Sequence, residues 1–221
     1  MHCGTDLQTG KALKTKKGAE SADGTPINTR AIRLVSRGIR MVFLGLILTM
    51  LAVLLARFMA SGSLSAAWAP YVVIGLIAGP LNTVVGPLLC LAVPKQTGTR
   101  PFIYTSAALL LVATAFNVTA SLGQGLVFGI LAKLAYFAGV ITFAVFLQQL
   151  AVYMGEIALA DEADSVIRAG IGLVIAFVAL MIPLIGCLAL LFYLAGLAYF
   201  FFRYAMLLWG MQSVVRKWGT V

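Results

Sequence analysis

The 221 residues are 62% apolar and only 10% charged, whereas soluble domains average about 45–50% apolar and about 25% charged. A mean hydropathy of +1.02 therefore excludes an ordinary soluble globule. Three cysteines are too few for a disulfide framework, and the apolar excess excludes a disordered chain. The net charge is +9, from 16 Lys and Arg against 7 Asp and Glu. Half of the basic residues precede residue 41, abutting an apolar stretch, which points to membrane topology and anionic lipid. No aromatic residue is interleaved with these charges to stack bases, so nucleic acid is not an expected partner.

In chain order, residues 1–27 read as a disordered, basic cytoplasmic tail containing Lys11, Lys14, Lys16 and Lys17. Nothing in this stretch can bury a core. Asn28 or Thr29 is a fair N-cap for a basic amphipathic juxtamembrane helix over 28–40. Arg30, Arg33, Arg37 and Arg40 fall on one helical face and are candidate contacts for anionic lipid, with Ile32, Val35 and Ile39 turned away. Such a helix would lie on the cytoplasmic leaflet before entering it. A helix crossing the hydrocarbon core needs about 20 mostly apolar residues, which places spans over 39–60, 68–93, 101–122 and 126–153. The apolar run 169–209 would be about 60 Å long as one helix. Pro183 and Gly186 near its middle divide it into spans 169–185 and 187–209, followed by a cytoplasmic tail over 210–221. The expected fold is all-α: a polytopic helical membrane protein of about six spans with both termini in the cytoplasm.

Orientation favours six spans over five. The N-terminal segment, Lys95 and Arg100, Arg168, and Arg216 and Lys217 then share one side, and the opposite loops carry no charge. Five spans would put the C-terminal basic pair outside. The N-terminus lacks the order of a cleaved signal, so the first span is read as an anchor.

Several segments invite a chemical reading. Met1-His2-Cys3-Gly4 resembles half of a zinc knuckle whose first cysteine is missing, so no metal site is expected. Asp161-Glu162-Ala163-Asp164 spells a helicase acidic box without the phosphate loop that chemistry requires. A short surface helix with an Asp164–Arg168 pair is the plainer reading, and a cation site or basic-partner dock the alternative. The second span holds Gly79, Pro80, Asn82, Thr83, Gly86 and Pro87, which predicts a kinked or interrupted helix near mid-bilayer. Asn117 and Thr119 are the natural polar partners of Asn82. Arg57 and Lys133 are candidates for a basic pocket, although snorkelling explains them and Arg203 equally well. Ser121, Gly125 and Gly129 repeat every fourth residue as a close-packing face. No coupling carboxylate lies in a span, the only His is His2, and no catalytic constellation or cofactor motif is visible, so an enzyme is not expected.

The knuckle-like start from Cys3 to Lys11, the segment Gly86-Pro87-Leu88-Leu89-Cys90-Leu91-Ala92-Val93-Pro94, and Phe146-Leu147-Gln148-Gln149-Leu150-Ala151 before an acidic loop together resemble uncharacterised multi-pass membrane proteins of planctomycete-type bacteria. The resemblance implies a bacterial plasma membrane and no known activity. Two functions of different class stand open, the first favoured because no coupling-ion residue is visible. One is a non-catalytic scaffold or accessory subunit, docking protein partners or a second copy of itself through its basic tail and acidic loop. The other is a small transporter or channel working through the interrupted second span.

Overall fold

Without water, every backbone N–H and C=O must be satisfied within its own segment, so the apolar runs form helices. The computed structural model describes residues 29–63, 65–93, 97–121, 125–180 and 186–219. They form α1 (Thr29–Ala60), α2 (Ala69–Cys90), α3 (Arg100–Ser121), α4 (Leu126–Tyr153), α5 (Ile157–Ala179) and α6 (Gly186–Gly219), with one 3-10 turn at Ala66–Trp68 and no strand among the described residues. The tail over 1–27 with its knuckle-like start, Lys95 and the 181–185 break lie outside the described residues. Each helix packs on the next, and α6 returns to α1, so the six close a ring in chain order.

Five helices, α1, α2, α3, α4 and α6, are long and apolar enough to cross a membrane. The exception is α5, and the count of five or six agrees with the all-α polytopic fold of about six spans expected from the sequence. The acidic surface helix and the fifth span are one helix, α5, with Asp161, Glu162, Asp164 and Arg168 in its first turns. Its apolar remainder over 169–179 rises only about 17 Å, well short of a roughly 30 Å core. The division between α5 and α6 falls where proline and glycine placed it. The two helices are antiparallel, with Leu159 over Gly210 and Leu173 beside Gly196.

The juxtamembrane helix and the first span are one continuous element, α1, about 48 Å long. Val35 and Ile39 are buried in the bundle while the four arginines face outward, as the periodicity predicts. What holds this end upright is packing: Gly38 fits against Gly86 and Cys90 of α2, and Phe43 meets Trp209 of α6 edge to face at 6.3 Å.

The α1–α2 seam brings two backbones together. A Cβ added to Gly38 would lie 2.5 Å from the Gly86 carbonyl oxygen, and one added to Gly45 would lie 2.7 Å from that of Gly79. Small residues permit this approach. The seam expected from Ser121, Gly125 and Gly129 does not form. α3 ends at Ser121 and α4 begins at Leu126, so the three share no helix. Gly125 adopts φ +99° between them, and neither it nor Gly129 has an atom within 4 Å of an added Cβ. Instead α3 and α4 are joined by the buried Ser106 hydroxyl, which donates to the Gly139 carbonyl at 2.8 Å.

Candidate functional site: an intramembrane cavity

Because consecutive helices alternate in direction, the later part of α1 comes level with the middle of α2, the ends of α3 and the early turns of α4 and α6. Between them lies a cavity of about 650 Å³. Its polar lining comes from Thr49 of α1, Thr83 of α2, Thr114 and Asn117 of α3, Lys133 and Tyr136 of α4, and Tyr193 of α6. The rest of the wall is apolar.

The threonines are already committed as donors. Thr49, Thr83 and Thr114 each donate to a carbonyl of their own helix, those of Gly45, Pro80 and Leu110, at 2.8 Å. They show the cavity methyl groups and hydroxyl lone pairs rather than free protons. Lys133 is the single cation in the wall. Its ammonium lies 5.6 Å from the centroid of the Phe177 ring on α5, a cation–π distance that steers an exposed amine. Among the described residues no carboxylate lines the cavity.

The predicted site residues divide between this cavity and the packing seams. Pro80, Thr83, Asn117 and Lys133 are brought together in the wall. Gly79 and Gly86 lie in the α1 seam instead, where added side chains would overlap Thr49 and Val42. Pro87 is buried, and Asn82 is half-buried outside the cavity wall. Thr119 donates to the Ala115 carbonyl at 2.9 Å and is not in the wall either. Of the residues grouped with Asn82 in the sequence, only Pro80, Thr83 and Asn117 line the cavity. Arg57 is exposed in the last turn of α1 and does not line the cavity, so the Arg57–Lys133 pocket does not form. Nor is α2 interrupted, since it runs through Pro80 and Pro87 as one helix. Pro80 has no N–H to give the Leu76 carbonyl, and both residues line the cavity. Thr49, Thr114, Tyr136 and Tyr193 were missed, although isolated hydroxyls inside apolar spans are a readable signal.

Arg203 does not snorkel alone. Its guanidinium approaches Glu162 Oε1 at 3.4 Å, donates to Ser165 Oγ at 3.3 Å, and donates through Nε to the Tyr199 hydroxyl at 3.2 Å. Asp164 and Arg168 form the predicted i, i+4 pair at 2.7 Å. The acidic segment gathers no group of metal-ligating side chains among the described residues. Comparison with protein-family models, with curated proteins and with solved structures finds no match.

Proposed function

We propose that the protein is a non-catalytic integral membrane carrier that binds an amphipathic organic anion in the cavity and moves it down its gradient. The observation that carries this reading is a cavity walled by five helices whose one charged group is Lys133. Its volume falls within the roughly 300–1,000 Å³ of small-molecule sites. An apolar body would lie against the wall, with an anionic head on Lys133. Among the described residues the wall offers no carboxylate as a proton or cation site, so the proposed movement is downhill. The scaffold reading draws less support, because two of the acids meant to dock a partner, Glu162 and Asp164, engage Arg203 and Arg168.

Membrane and orientation belong to the same proposal. Arg33, Arg37 and Arg40 at the start of α1 and Arg216 near the end of α6 gather on one face, which fits a bacterial plasma membrane with both termini inside. Cysteine introduced at Ser63, in a chain whose native cysteines are alanine, should react with an impermeant maleimide added to intact cells. Cysteine at Ser213 should react only after lysis; the reverse pattern refutes the orientation.

Octanesulfonate is a suitable probe because it stays ionised and crosses lipid poorly. Wild-type protein in liposomes should bind it and admit it. Lys133→Met should weaken binding about ten- to a hundredfold, the effect of losing one charged hydrogen-bond partner. Asn82→Leu should leave binding intact. Equal binding by wild type and Lys133→Met would sink the proposal.

A further inference from the structure

Where α1 begins and α6 ends, the two helices enclose a second pocket of about 370 Å³. Arg33, Arg37 and Arg40 of α1 and Arg216 of α6 line it, together with the Ser36 hydroxyl and the apolar Ile32 and Val215. Among the described residues no carboxylate lines this wall. The two ion pairs formed by Glu162 and Asp164 use Arg203 and Arg168, not these arginines. Four guanidinium groups around so small a space repel one another.

One wall is nevertheless fixed in place. Gln212 of α6 is buried, and with its amide oxygen turned toward α1 it accepts from Arg40 Nε at 2.9 Å and Nη2 at 3.2 Å. A buried amide thus orients one guanidinium, and the sequence pattern predicts neither Gln212 nor Arg216 as its companions. Planar guanidinium groups recognise phosphate oxygens through paired N–H donors. We propose that this pocket binds an anion carrying two phosphate groups, whose charge partly offsets the four arginines and ties the end of α6 to the start of α1. A lipid headgroup with two phosphodiesters and free pyrophosphate both present paired phosphate groups.

The test uses the full chain in nanodiscs and reads retained lipid by native mass spectrometry, with thermal unfolding to confirm the fold. Cardiolipin should be retained in preference to phosphatidylcholine. Arg216→Gln and Arg37→Gln should each weaken retention about tenfold, the effect of one charge-assisted contact. Arg168→Gln, which removes the same charge elsewhere, should not weaken it, and Arg216→Lys should fall between Arg216→Gln and wild type. Added pyrophosphate that displaces cardiolipin identifies a site open to soluble diphosphates, and cardiolipin that resists displacement identifies the lipid as ligand; either supports the proposal. Retention that falls equally in Arg168→Gln and Arg216→Gln, or that does not distinguish cardiolipin from phosphatidylcholine, overturns it. Lys133→Met should leave this retention unchanged, so the two sites fail or stand separately.

Discussion

Replacing single glycines of the α1–α2 seam by alanine tests whether backbone proximity holds this bundle together. At Gly45 the new Cβ would lie 2.7 Å from the Gly79 oxygen and 2.9 Å from the Thr83 nitrogen. Both are backbone atoms, which no side-chain movement can relieve. Ordinary contact begins at 3.4 Å, so the helices must part by roughly 0.5–1 Å, and overpacking of this kind costs about 1–3 kcal/mol. Gly75 differs in an instructive way. Its added Cβ would meet the Ala52 Cβ at 2.7 Å, and the next atom is 3.5 Å away, so the clash is with one methyl group. Ala52→Gly should therefore rescue Gly75→Ala but not Gly45→Ala. Glycine within a helix carries its own penalty of about 1 kcal/mol, so the quantity to compare is the coupling in a double-mutant cycle. Gly129→Ala is the control: nothing lies within 4 Å, and helix propensity predicts a gain of up to about 1 kcal/mol. Thermal unfolding of purified protein in mild detergent gives the readout, at about 2–4 °C per kcal/mol for a chain of this size. If Gly45→Ala melts with Gly129→Ala, or Ala52→Gly fails to couple with Gly75→Ala, the seam does not act through backbone contact.

Two further perturbations address other joints of the ring. Ser106→Ala removes the buried bond to Gly139 and should lower stability by about 0.6 kcal/mol, the average for interhelical side-chain bonds in membranes; no change in melting temperature would mean the bond contributes nothing net. Glu162→Gln and Arg203→Gln should couple by about 0.5–1 kcal/mol in a double-mutant cycle that shrinks with added salt, because Arg203 is partly exposed. A salt-independent coupling would assign the interaction to the neutral bonds with Ser165 and Tyr199.

Length and hydropathy made α1 to α4 legible, because an apolar run of sufficient length has few alternatives in a bilayer. Pro183 and Gly186 likewise marked the division between α5 and α6. The prolines and glycines of α2 allow either a kinked or an interrupted helix when it is considered alone, and the helix runs through them. Gly79 and Gly86 fit against Thr49 and Val42 of α1, and Thr83 donates its hydroxyl to the Pro80 carbonyl. The glycines serve close approach, not flexibility. In α5 the helical spacing and the Asp164–Arg168 pair made the surface helix legible; that it runs on unbroken into the apolar segment was not, since the Arg203 contacts come from α6. The cavity could not be read from any one segment. Its wall comes from five helices, and it exists only because α6 returns to α1.

The same closure decides how an anion could move. Along α1, the buried Val42 and Leu46 separate the arginine pocket, which ends at Arg40, from Thr49 at the cavity. Along α6, the buried Tyr204, Leu207, Leu208 and Met211 separate Phe201 at the cavity from Val215 at the pocket. Phe143, Phe146 and Leu147 of α4 belong to the same core. Among the described residues a buried apolar layer thus lies between the two polar spaces. On the proposed carrier reading, passage requires the helices to shift for each bound anion, so turnover is limited by the number of sites and not by diffusion. Initial rates of octanesulfonate entry into liposomes should accordingly saturate as its concentration rises, and Lys133→Met should raise the half-saturating concentration. A rate that climbs linearly with concentration, unaffected by Lys133, would mean the anion crosses by another route and the cavity is not on its path.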